Sequence, residues 1–248
     1  MIRAVIFDLD GTLVRTERLK ALSYGRAADE LEPSIDHEAL ALRAFGEVVG
    51  QSRRDVAIHV MHALGVEPLA SQRRAEFGVD EPWQAFVQVR LRIYEEMTAD
   101  VDLLCENRWL HNVELIGTAR ALGCRIGLAT ASSCAAARHV LGAIGLADAF
   151  DFVATNDDVN HNKPDPEIDL LVACELGVAP AECIVIEDSP SGVRAALTAG
   201  MRCIAVSTDF TRERLHAEGL LGEEWIVDDP ALLQETLRRA FTEADGDG

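Results

Sequence analysis

The chain has 248 residues, enough for one large domain or two small ones, and 48% of them are hydrophobic, enough for a sizeable core. Its 42 acidic residues against 23 basic ones leave a formal charge of −19, which argues against nucleic acid and anionic membrane as partners. A site for an anionic ligand must therefore bring its own positive charge. Six scattered cysteines without a Cys-x-x-Cys pair read as reduced thiols of a cytoplasmic protein. No apolar run reaches transmembrane length, and the N-terminus leads straight into a strand rather than a secretion signal.

Ala4–Phe7 reads as a buried strand that delivers Asp8 and Asp10 to a sheet edge, where Gly11 lets the backbone turn. Two carboxylates this close are costly unless a cation or a shared proton relieves them. The pair suits a nucleophile and metal ligand beside a proton donor and acceptor; alone, it equally suits a solvated acidic turn. Thr16–Leu31, Asp36–Val49, Ser52–Leu64 and Trp83–Ala99 then show helical periodicity, broken at Pro33, Gly50 and Gly65-Val66-Glu67-Pro68. Trp83, Phe86, Val87, Leu91 and Tyr94 read as core of this helical block, and His59 and His62 as surface or packing residues.

A helix near Val113–Leu122 follows. Strands are expected at Arg125–Thr130, Phe152–Thr155, Cys183–Ile186, Cys203–Val206 and Trp225–Val227, each with a helical pattern after it, and Glu243–Gly248 reads as a frayed polar tail. The alternation predicts an α/β fold with a doubly wound parallel sheet, built from 1–15 and 108–248, with an inserted helical domain over 16–107 that could serve as a lid. Right-handed crossovers place all the strand C-termini on one edge. Asp8 and Asp10, Thr130 and Ser132, Asn156 and Asp157, and Glu187 and Asp188 should therefore converge. Lysine usage adds a pointer: beside 21 arginines the chain keeps only Lys20 and Lys163, and a lysine held against that drift suits a place needing a compact ammonium.

Four segments stand in order: Asp8-Leu9-Asp10-Gly11-Thr12, Leu128-Ala129-Thr130-Ala131-Ser132-Ser133, Asn162-Lys163-Pro164-Asp165-Pro166-Glu167, and Val185-Ile186-Glu187-Asp188-Ser189-Pro190-Ser191-Gly192. Together they resemble the four motifs of the haloacid dehalogenase superfamily. The helical insert resembles the cap of its β-phosphoglucomutase-like and phosphoglycolate phosphatase-like branch. The resemblance implies that Asp8 attacks phosphorus and becomes an aspartyl phosphate. It implies Mg²⁺ held by Asp8, Asp188 and the backbone carbonyl of Asp10, with Glu187 helping directly or through water. Lys163 would neutralise charge on the transferring group, while Asp10 protonates the leaving oxygen and then deprotonates water. Thr130 and the amides of Ala131 and Ser132 would hold phosphate oxygens.

Within the superfamily, dehalogenases lack an aspartate two residues after the nucleophile, so Asp10 favours phosphoryl transfer. Substrate contacts are expected at Gly11, Thr12, Thr16, Lys20, Arg53, Ala131 and Ser132. Gly50-Gln51-Ser52-Arg53 resembles the cap loop whose arginine grips the substrate's far end. Lys20 stands where the mutase has histidine, which weakens a mutase reading. It lies too soon after the nucleophile for the Schiff-base lysine of phosphonoacetaldehyde hydrolase. Arg15 replaces a commonly acidic residue, and His111-Asn112 a common Pro-Gly. The expectation is a Mg²⁺-dependent phosphatase of a small phosphate ester, monomeric or weakly dimeric. A phosphomutase is the alternative, and a non-catalytic binding protein on the same fold is a further one.

Overall fold

A computed structural model describes residues 1–49 and 53–246, so Gly50, Gln51 and Ser52 of the expected cap loop lie outside the described residues. Six strands, β1 (Ala4–Phe7), β2 (Arg125–Ala129), β3 (Phe152–Ala154), β4 (Cys183–Glu187), β5 (Arg202–Val206) and β6 (Ile226–Val227), form one sheet in the order β3-β2-β1-β4-β5-β6. Every pairing is parallel. β1 and β4 are buried along their whole length, as a sheet covered on both faces requires. The fold is therefore the expected α/β type with a doubly wound parallel sheet.

The chain runs from β1 outward to β2 and β3, then crosses to β4 on the other side of β1. The connection reverses between β1 and β4, the place where open parallel sheets bind ligands at their C-terminal edge.

The helices are α1 (Thr16–Leu31), α2 (Glu38–Val48), α3 (Arg53–Ala63), α4 (Glu67–Gln72), α5 (Arg74–Phe77), α6 (Pro82–Ala99), α7 (Val101–Glu106), α8 (Leu110–Ala121), α9 (Cys134–Ala143), α10 (Glu167–Leu176), α11 (Pro190–Thr198), α12 (Arg212–Glu218) and α13 (Leu233–Gly246). They fall into two compact units, Met1–Arg15 with Leu104–Gly248, and Thr16–Leu103. In the helical unit α1 packs on α2 and α6, and α3 on those two; the Tyr24 ring of α1 lies 5.6 Å from Phe86 and 6.2 Å from Phe45. In the sheet unit α10 lies on β2 so closely that a side chain at Gly127 would overlap Val172.

The break read at Gly65–Pro68 is present, since α3 ends at Ala63 and α4 begins at Glu67, but it is short because Pro68 sits in the first turn of α4, where no amide is needed for the helical ladder. The tail read from Glu243 is helical through Gly246, and the N-terminal ammonium of Met1 donates to the Ala244 carbonyl at 3.2 Å. All six cysteines are free, but only Cys124, Cys183 and Cys203 are buried.

At the far edge of the sheet, His216 on α12 lies 2.8 Å from Glu223 and 3.2 Å from both oxygens of Asp228, which also accepts from Ser207 at 2.6 Å. The Asp228 contact, with help from Glu223, raises His216 above its usual value. A raised histidine adds stability that is full below its unfolded pKa of about 6.5 and is lost as pH rises through the folded value. The melting temperature of the protein should therefore decline between pH 6 and 9 relative to that of His216→Gln. Parallel curves for the two proteins would remove this contribution.

Candidate active site

The strand ends bring together the acidic residues read from the sequence. Asp8 follows β1 directly, and its amide donates to the Ile186 carbonyl of β4 at 3.0 Å, which ties the two strand ends together. Gly11 turns with φ +87°, a conformation open to glycine, and its amide donates to Val14 O at 2.7 Å. A side chain at Gly11 would also overlap the Asp188 carboxylate, so this glycine admits Asp188 to the site. Lys163 reaches in from the loop before α10. Its ammonium donates to Asp8 Oδ1 at 2.8 Å, Glu187 Oε1 at 2.7 Å and the Ala129 carbonyl at 2.9 Å, and all three of its hydrogens are used.

Asp10 is held from the β2 end. Ser132 Oγ donates to Asp10 Oδ2 at 2.5 Å, with the Thr130 hydroxyl farther off at 3.5 Å. The Ser132 amide, expected to bind phosphate, donates to Thr130 Oγ1 at 3.1 Å. α9 begins later than that expectation supposed, with Ser133 as its N-cap accepting from the Ala136 amide at 3.4 Å. Ala131 lies exposed between β2 and α9.

Glu187 is occupied on both oxygens. Lys163 takes one, and the other accepts from the Asp188 amide at 2.8 Å, the Ser189 amide at 2.8 Å and Ser189 Oγ at 3.0 Å. It thereby holds both Lys163 and the turn after β4.

One ammonium meets Asp8 and Glu187, and Asp10 and Asp188 add two more carboxylates at the strand ends. Burial lifts the Asp8 carboxyl well above its usual range, with Lys163 opposing and Glu187 and Asp10 adding to the rise. Burial alone would pull Lys163 down, but Asp8 and Glu187 override it and hold the ammonium well above its ordinary value. The surplus is negative and made of hard oxygens. Asp8 and Asp188, both buried, fit a small divalent cation of the Mg²⁺ kind.

The sequence matches the haloacid dehalogenase-like hydrolase family over residues 2–200. The chain belongs to this family. It is 31% identical to a phosphoglycolate phosphatase of Rhodospirillum rubrum over 252 residues, covering 100% of this chain and 95% of the relative. It is 30% identical to a phosphorylated carbohydrates phosphatase of Thermotoga maritima over 202 residues, covering 81% of this chain and 83% of the relative. Among solved structures, a β-phosphoglucomutase from Clostridium difficile superposes with a TM-score of 0.64 at 25% identity, covering 98% of this chain and 100% of that one.

Several supports of the hydrolase site escape a reading by residue type. Ser189 caps α11, accepting from the Gly192 amide at 3.1 Å, and it also holds Glu187. Asn112 Nδ2 donates to the Thr12 carbonyl at 2.6 Å and pins the turn that carries Asp10. A side chain at Gly192 would overlap the Glu187 carboxylate. Gly192→Ala should therefore push Glu187 off Lys163. Activity is expected to fall by roughly 10²-fold or more, and stability by about 2 kcal/mol or more, through overpacking and a broken buried pair. Kinetics and urea unfolding of this variant check it; wild-type values for both would contradict the packing described.

The remaining expected contacts lie in the helical unit: Thr16 begins α1 and is buried, Lys20 is half-buried on α1, and Arg53 begins α3 and is exposed. Thr12 is buried beneath the turn, and its hydroxyl has no hydrogen-bond partner. Arg90, not anticipated, is buried on α6 between Tyr94 at 4.5 Å and Tyr24 at 5.2 Å, with its Nε unpartnered. Burial lowers its pKa, and Arg53 adds like-charge repulsion. The signal available in sequence was an arginine on the apolar stripe of Phe86, Val89 and Ile93.

Arg15 belongs to the sheet unit. Its guanidinium stacks 4.0 Å over Trp109, and its amide donates to Asn107 O at 2.9 Å, beside the Trp109 amide on Leu13 O at 2.9 Å. The points where the chain leaves and re-enters the sheet unit are thereby fastened side by side. Among the described residues, no helix is long and apolar enough to cross a membrane.

Proposed function

We propose that this hydrolase is a Mg²⁺-dependent phosphatase of small phosphorylated metabolites that works through an aspartyl phosphate on Asp8. The observation that carries the reading is the ammonium of Lys163 held against Asp8, with Asp10 positioned two residues on. Lys163 fixes Asp8 Oδ1 and so orients the carboxylate, leaving its other oxygen to attack phosphorus as the bond to the leaving alkoxide breaks. Lys163 also supplies positive charge where the transferring group gathers negative charge.

Asp10, protonated, gives its proton to the leaving oxygen. The resulting carboxylate then takes a proton from the water that attacks the acyl phosphate, which frees inorganic phosphate and returns Asp8. Mg²⁺, held by Asp8, Asp188 and the Asp10 carbonyl, would supply charge neutralisation for the phosphate oxygens. The names of the two phosphatase relatives support the substrate class. The resemblance of Arg53 to the arginine of the cap loop supports a preference for substrates with a second anionic group.

The likeness to a β-phosphoglucomutase favours one second reading, in which the phosphoryl group returns to a bound sugar rather than to water. One assay separates the two. The protein is incubated with Mg²⁺ and a panel of sugar phosphates, phosphoglycolate and nucleotides, and free phosphate and sugar isomers are measured together. Phosphate release that stops on adding chelator supports the phosphatase, and isomerisation without net release supports the mutase. Turnover that survives chelation would sink the metal-dependent mechanism for both.

A further inference from the structure

The third residue of α10 is an aspartate on the face that packs against the sheet. Its neighbours on that face, Ile168, Val172, Ala173 and Leu176, belong to the apolar core with Ala4, Ile6, Ala129 and Ala154 of β1, β2 and β3. Asp169 is 0% exposed, and neither of its carboxylate oxygens has a hydrogen-bond partner. A buried acid in this position costs stability, and an apolar residue would fit the helix pattern better. The mechanism above does not use it. Its titratable surroundings are Lys163 from the preceding loop, Glu187 and Cys183 from β4, and Cys203 from β5. Lys163 has no hydrogen left to give it, since all three go to Asp8, Glu187 and Ala129. Asp169 therefore acts on Lys163 through space.

We propose that Asp169 is a positioning residue that weakens the site's grip on phosphate: a buried negative charge behind Lys163 that offsets part of the ammonium's pull and speeds product release. The inference rests on the phosphatase reading. Inorganic phosphate, the product, is an anion much like the group it comes from. Asp8 and Glu187 already oppose Lys163, but a metal ion and the arriving phosphate draw on the same carboxylates, and a further negative charge behind the ammonium keeps product from being held. Removing this buried charge from a partly screened site should tighten phosphate binding by roughly threefold to tenfold.

Burial raises the Asp169 carboxyl to about 6, with Lys163 opposing and Glu187 adding. The repulsion is therefore present above that value and fades below it. The ratio of wild-type to Asp169→Asn dissociation constants cancels the titration of phosphate itself. It should approach one in acid and open as pH rises.

The test is calorimetric titration of inorganic phosphate into the Mg²⁺-loaded protein at pH 5 to 8, using wild type, Asp169→Asn and Asp169→Leu, with melting temperatures alongside. Both variants are expected to melt at or above the wild-type temperature and to bind phosphate more tightly at pH 7.5. With a phosphate ester that the enzyme turns over, KM and the inhibition constant of phosphate should fall together. Wild-type affinity in both folded variants, or a wild-type to Asp169→Asn ratio independent of pH, overturns the role of Asp169. A loss of melting temperature in Asp169→Leu as well as Asp169→Asn would make the carboxyl a structural support instead. Failure of the wild-type protein to bind phosphate at all would count against the phosphatase reading, a result distinct from either.

Discussion

Asp8→Asn should abolish turnover, with a loss of at least about 10⁴-fold, because the amide cannot become an acyl phosphate. The fold should survive and, without divalent metal, gain stability. Asp8 is buried among Glu187 and Asp10, and its carboxyl is held well above its usual range, so ionising it in the folded state is unfavourable. A carboxyl raised in this way stabilises the fold most when protonated, and that stability is lost as pH rises through the folded value. The advantage of the variant over the natural protein should be greatest at neutral pH and close in acid. Urea unfolding at pH 4, 5.5 and 7.5 in chelator measures it. Residual turnover within 100-fold of wild type would exclude Asp8 as the nucleophile.

Lys163→Met is expected to damage both activity and stability. The Lys163 side chain is 6% exposed and its ammonium joins two buried carboxylates with a backbone carbonyl, so the thioether leaves Asp8 and Glu187 facing one another. Removing one partner of such a group costs roughly 3 kcal/mol, with some relief because Asp8 can protonate. The loss in kcat should reach at least about 10³-fold, since positive charge at the transferring group supplies much of the rate. Lys163→Arg should rescue little, because a planar guanidinium cannot send three hydrogens to three oxygens converging on one point. Arginine at that position with near-normal kcat would show that net charge alone is enough and would contradict the geometry described.

Much of the sheet was legible because buried parallel strands are short β-branched apolar runs. Each of the six was placed to within about one residue at either end. Helices α1 and α6 were legible for the matching reason, long periodic segments with clear bounds. The short α4, α5 and α7 were not, because one or two turns offer too few repeats to show a period. Within the site, residue chemistry pointed to Asp8, Asp10, Lys163 and Asp188, but it could not show what each side chain spends its hydrogen bonds on. Glu187 illustrates this: in sequence it reads as a metal ligand, and only the fold reveals its bonds to Ser189, two backbone amides and Lys163. Asp169 was missed for the opposite reason. An aspartate early in a helix reads as a favourable dipole partner at its N-terminus, so a buried one draws no notice.

The fastening of Leu13 to Trp109 and of Arg15 to Asn107 bears on how such proteins diversify. A segment whose two ends are stitched together at its root is, for the sheet, equivalent to a single loop. It can be lengthened, shortened or exchanged for a foreign sequence, provided the new ends meet at the same stitch. Chimaeras cut at Arg15 and Arg108 should therefore fold and retain the charge arrangement around Asp8. The two halves of the sequence can then drift at different rates, one held by its chemistry and the other tied only by its ends.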